Sequence, residues 1–81
     1  MMHPEQVQEK LVQSFPDSEV VVQDTTGTMD HFQVLIISSL FEGKTMVEQH
    51  QMVYKALGDL MKEAIHALAL KTYTPQQWKN N

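Results

Sequence analysis

Apolar positions change their spacing along this chain, and each change marks an element. Val7, Leu11, Val12 and Phe15 recur at helical spacing, Pro4 stands where a first helical residue needs no N–H partner, and Pro16 ends the run. These features predict an amphipathic helix. From Ser18 to Asp24 the β-branched cluster Val20, Val21, Val22 predicts a strand, and from His31 to Ser38 the residues Phe32, Val34, Leu35, Ile36 and Ile37 predict a second. Between them Thr25 to Asp30 is polar and contains Gly27, so a hairpin with a longer, flexible loop is expected. Ser38, Ser39, Glu42 and Gly43 mark a loop, after which Thr45 and Glu48 make the capping box that opens a helix. Met46, His50, Val53, Leu57, Leu60 and Ala64 then step by threes and fours, with Val47, Tyr54 and Met61 alongside, which predicts one buried stripe. Gly58 interrupts the helix and is expected to split it. His66 to Tyr73 reads as a third strand, and Thr74, Pro75 and Gln77 repeat the cap for a short closing helix that packs Trp78 onto the body.

The predicted order is αββααβ with a terminal helical turn. A helical crossover joins strands two and three, so they should be parallel and the crossover right-handed. The fold class is therefore α+β: a two-layer sandwich with a mixed three-stranded sheet, one domain over residues 1–81 with an ordered core over about 4–78.

Composition narrows the chemistry. There is no cysteine among the 81 residues, so disulfides and thiolate metal sites within the chain are excluded and any metal must rest on His and carboxylates. The longest strictly apolar run, Val34 to Ile37, is far below the roughly 20 residues of a membrane helix, and no charged-then-apolar leader precedes Glu5. A cytoplasmic protein with no membrane partner is the expectation. The formal charge is −4, and all six basic residues are lysines. Without arginine and with an acidic balance, nucleic-acid binding is expected to be weak.

Two histidines begin the two parallel strands, His31 and His66, and parallel strands start at the same edge of a sheet. Neighbouring backbones lie about 4.8 Å apart, a separation that lets two imidazoles share a metal. Alternation cuts the other way, because His66 has the parity of Leu68 and Leu70 while His31 is out of phase with Phe32, Val34 and Ile36. The spacing thus leaves open a second reading: His31 an exposed loop residue, His66 a half-buried strand-start residue. His50 sits on the helix stripe and reads as structural, and His3 as disordered terminus. Glu42-Gly43-Lys44-Thr45 lacks the glycine-rich run of a phosphate loop, and no serine has the context of a nucleophile elbow. No catalytic residue is predicted.

Leu40-Phe41-Glu42-Gly43-Lys44-Thr45, the segment Gln49 to Tyr54, Ile65-His66-Ala67-Leu68 and the run Lys71 to Trp78 together resemble the BolA family, most closely its IbaG (YrbA) branch, from about Pro4 to Trp78. The resemblance implies a class II KH-like architecture. It also implies that His66 is the signature metal ligand and His31 a second one, donated from the hairpin loop. In the family the cofactor is a two-iron two-sulfur cluster bridging to a monothiol glutaredoxin, whose cysteine and bound glutathione supply the thiolates. The resemblance therefore implies a non-enzymatic protein of iron–sulfur cluster trafficking or iron sensing, linked to stress response, with no cluster on the isolated chain, which would be a monomer or weak homodimer. The alternative is a DNA-binding transcriptional regulator using the KH-like surface of the helix that begins at Thr45. A GXXG loop is absent, and Glu48, Gln49 and Gln51 stand where relatives often carry Arg or Lys. Lys44, Lys71 and Tyr73 are the candidate partner or nucleic-acid surface. A third reading is an interaction module whose partner covers an apolar patch of Leu35, Ile37, Ala67 and Ala69 on the outer sheet face.

Overall fold

In a computed structural model, residues 3–28, 31–63 and 67–80 are described, apart from the side chains at 62 and 63. Helix α1 (Pro4–Ser14) leads into strands β1 (Glu19–Asp24) and β2 (His31–Ile37). A 3-10 turn at Ser39–Phe41 precedes α2 (Met46–Leu57) and the short α3 (Leu60–Glu63), followed by β3 (Ala67–Tyr73) and α4 (Pro75–Lys79). The sheet order is β1-β2-β3, with β1 antiparallel and β3 parallel to the central strand. This is the predicted α+β architecture with its mixed sheet. No helix of the described residues is long and apolar enough to cross a membrane.

Local chemistry accounts for the element ends. His3 caps α1, its backbone N–H donating to Gln6 Oε1 at 2.8 Å, so the expected disordered terminus is instead a helix start. Both predicted capping boxes form: Glu48 N–H donates to Thr45 Oγ1 at 3.2 Å and Thr45 N–H to Glu48 Oε1 at 2.8 Å, with the same reciprocal pair at Thr74 and Gln77. Gly58 closes α2 at φ +54° and ψ −125°, backbone angles that only glycine adopts without strain, while its N–H donates to the Tyr54 carbonyl at 3.0 Å. In the hairpin, Asp24 Oδ1 accepts from the N–H groups of Thr26 and Gly27 at 3.2 and 2.9 Å, tying down the described part of the loop.

The core lies between the helices and one face of the sheet. Val7, Leu11 and Phe15 from α1 and its end meet Val20, Phe32, Val34 and Ile36 from the strands, and Phe41, Val53 and Leu57 close the other side. Phe15 and Phe41 pack as tilted rings 5.3 Å apart. Val12, predicted inside, is 45% exposed, because only the four-residue steps of α1 face the sheet.

The buried stripe of α2 differs from the one predicted. Met46, Val47 and Tyr54 are exposed, His50 is half-buried, and the buried face is Gln49, Val53 and Leu57. Leu60 and Met61 are partly buried, and Ala64 lies outside the described residues. The helix is rotated because a polar residue anchors it. Gln49 Nε2 donates to the Lys44 carbonyl at 3.1 Å, and Thr72 Oγ1 donates to Gln49 Oε1 at 2.7 Å. A buried amide satisfied at both ends is a stable core element.

Candidate functional site

Phe32, Val34 and Ile36 of β2 point into the core, so alternation turns His31, Gln33 and Leu35 to the outer face of the sheet. His31 is the first residue of β2 and is half-buried. Its carbonyl accepts the Thr25 N–H at 3.0 Å and the Thr25 hydroxyl at 3.2 Å. His31 opens β2 as the apolar pattern predicted, and it belongs to the ladder rather than to the loop in which the resemblance set the second ligand, because Thr25 extends the hairpin pairing one step beyond β1.

In the parallel ladder His31 pairs with Ala67, Phe32 with Leu68 and Gln33 with Ala69. Neighbouring strands are about 4.8 Å apart. Ala67 and Ala69 are exposed and small, so the outer face beside His31 is open. His66 lies outside the described residues, and the chain position that follows it is the one in register with His31. Imidazole nitrogen is a fitting donor for iron, and with no cysteine in the chain no thiolate can be added from within.

The other candidates separate onto two surfaces. Thr72 bonds to α2, so Lys71 and Tyr73 lie on the outer sheet face, where Lys71 is exposed and Tyr73 half-buried. Trp78 stacks edge-on against Tyr73 with centroids 5.3 Å apart, yet remains 43% exposed, so the closing helix covers Tyr73 rather than the main core. Ile37 is buried beside its ladder partner Tyr73, which shortens the expected outer apolar patch to Leu35 and the two alanines. Lys44 instead borders a shallow groove on the solvent side of α2 with Glu48, Gln51, Met52 and Lys55.

Hydrogen bonds also set the charge at this helix start. The Glu48 carboxylate accepts the Thr45 backbone N–H, with further help from the Thr45 hydroxyl and the Lys44 charge, and these hold its pKa below the ordinary glutamate value. His50 Nε2 is buried without a hydrogen-bond partner among the described residues. The sequence reading set Gln49 with Glu48 and Gln51 on the candidate nucleic-acid surface, but it is buried, and its pairing with Thr72 was missed because a hydrophobicity pattern skips polar residues; the spacing Gln49, Val53, Leu57 was the available signal.

The element order, the mixed sheet and the histidine at the entry of the central strand define a class of small two-layer α+β domain with a helical crossover between parallel strands. The chain belongs to the BolA-like family, whose model, described as BolA-like protein, matches residues 8–77. It is 43% identical over 81 residues to the Arabidopsis thaliana protein BOLA2, covering 98% of this chain and 86% of that one. To the Escherichia coli DNA-binding transcriptional regulator BolA it is 34% identical over 86 residues, covering 98% of this chain and 82% of the relative. Among solved structures, a bolA protein homologue from Coxiella burnetii superposes with a TM-score of 0.83 at 32% identity, covering 98% of this chain and 99% of that one.

Proposed function

We propose that this BolA-like protein partners a monothiol glutaredoxin and shares a two-iron two-sulfur cluster with it, in cluster trafficking or iron sensing. The observation that carries the reading is the ladder pairing of His31 with Ala67, the residue that follows His66. In this reading His31 and His66 would donate imidazole nitrogens to the cluster, a histidine pair having its precedent in Rieske centres, while the glutaredoxin cysteine and glutathione would supply its thiolates. A chain with four histidines and no cysteine suits half of such a site. The open outer face next to Ala67 and Ala69 leaves room for the partner's side of the cluster. The residues of this chain orient and hold; no catalytic step is assigned to them, and the proposed setting is the cytoplasm.

Anaerobic reconstitution with and without a monothiol glutaredoxin and glutathione tests the proposal. A visible chromophore is expected only with the partner present. A stable chromophore on the isolated chain, or none with the partner, overturns it.

The name of the Escherichia coli relative favours one alternative, a DNA-binding regulator. Its support here is the groove of α2 flanked by Lys44 and Lys55. Glu48 between them and the net charge of −4 weaken it.

A further inference from the structure

The two edges of the sheet are finished differently. Thr25 N–H donates toward β2, so by alternation the backbone groups of Val20, Val22 and Asp24 face away from it. The Val20 carbonyl is covered there by Gln8 Nε2 at 3.1 Å, and Glu19 and Asp24 stand at the strand ends. Covering side chains and charges are the usual means of blocking an edge. β3 carries one such charge among its described residues, Lys71 on the outer face, and no covering side chain. The Tyr73 carbonyl accepts the Ser38 N–H at 2.9 Å, which turns the backbone groups of Ala67, Ala69, Lys71 and Tyr73 toward β2 and those of Leu68, Leu70 and Thr72 outward. No described residue bonds to that outer row.

An exposed apolar flank of α2 lies above the same edge. Thr72 Oγ1 reaches Met46 Sδ at 3.8 Å, so the two elements touch at that end. From Met46 to Tyr54 the helix rises about 12 Å, close to the length of β3 from Thr72 back to Leu68. Met46, Val47 and Tyr54 are 58%, 65% and 42% exposed, and Leu68 and Leu70 are only partly buried.

We propose that β3 is an interface between two copies of this chain, paired antiparallel about a twofold axis at Leu70. In that register the outward groups of Leu68, Leu70 and Thr72 bond to those of Thr72, Leu70 and Leu68 of the second copy. The facing side chains suit one another: Ala67 opposes Tyr73 and Ala69 opposes Lys71, small against large. No lysine opposes a lysine. The twofold also brings the Met46 end of each α2 beside the Tyr54 end of the other, so one operation covers the free edge and the apolar flank together. This self-complementarity is what selects a second copy over an unrelated strand. The interface requires neither a cluster nor a glutaredoxin.

Ala69 is exposed and its backbone groups face β2, so a charge there leaves the ladder intact. Sedimentation equilibrium of the full chain, up to about 1 mM to reach weak constants, is the test. The wild type is expected to dimerise reversibly. Ala69→Glu, which sets a carboxylate against Lys71 of the other copy twice per dimer, should tighten the constant about threefold to tenfold, and Ala69→Lys should loosen it by a similar factor. Val47→Lys should loosen it too, while circular dichroism shows each variant folded. Amide exchange at Leu68, Leu70 and Thr72 should slow with concentration. A wild type that stays monomeric, shifts of the same sign for both Ala69 variants, or concentration-dependent protection confined to other strands each overturn the proposal.

Discussion

At the scale of single residues, the histidines are expected to divide by role. His31→Ala and His66→Ala should each change the visible circular dichroism and lifetime of a cluster reconstituted with glutaredoxin, His31 because the ladder and Thr25 hold it in place. His50→Ala should leave that spectrum alone and lower the melting temperature by a few degrees, since it removes a half-buried side chain from α2. Wild-type spectra from both ligand variants would sink the assignment. Gln49 and Thr72 form a different kind of pair. Thr72→Val strips the donor from a buried amide oxygen and should cost about 1–3 kcal/mol, whereas adding Gln49→Leu removes the stranded acceptor and should restore part of the loss. Additive losses in urea titrations of that double-mutant cycle would show that the bond does not couple the two elements.

At the scale of elements, the ends of α2 hold it in register. Thr45→Ala should cost about 0.5–2 kcal/mol through the lost cap. Its partner Glu48 ties the same cap to pH. The folded-state pKa of Glu48 is depressed, chiefly by the Thr45 backbone N–H, so its contribution is full above the unfolded glutamate pKa of about 4.3 and disappears as pH falls through the lower folded value. Melting curves should therefore show wild type exceeding Glu48→Gln at pH 7, with the gap closing below pH of about 4. A gap that widens in acid would contradict the cap reading. At the other end, an added Cβ on Gly58 would meet only the Lys55 carbonyl at 3.8 Å, so space is not limiting. The backbone angles are, and Gly58→Ala should cost about 1–3 kcal/mol by denaturant titration. A neutral substitution would mean that α2 and α3 can be joined by another backbone path.

At the scale of the whole molecule, charge weighs against the DNA-binding reading. Six lysines, no arginine and a net charge of −4 give a duplex little to hold beyond Lys44 and Lys55 beside α2. Nucleic-acid affinity is expected to be weak, independent of sequence and steeply lost between 50 and 200 mM salt. Tight, sequence-selective binding in fluorescence anisotropy at about 150 mM salt would promote the regulator reading.

The amino-acid sequence by itself determined the order of elements, both threonine caps, the break at Gly58 and the parallel pairing of the last two strands. Each of these follows from short-range chemistry: periodicity, capping and the length of a crossover. The resemblance carried by Ile65 to Leu68 and Lys71 to Trp78 likewise pointed to the family. Only the tertiary structure decided which face of α2 is buried, because the Thr72–Gln49 bond spans 23 positions and overrides the hydrophobic count that favoured Met46, Val47 and Tyr54. It also decided that Thr25 pairs with His31 one step beyond β1, and that Gln8 covers the backbone of one sheet edge while no described residue bonds to the outward row of the other. Those outcomes depend on what lies across space from each residue, and a one-dimensional pattern contains no term for it.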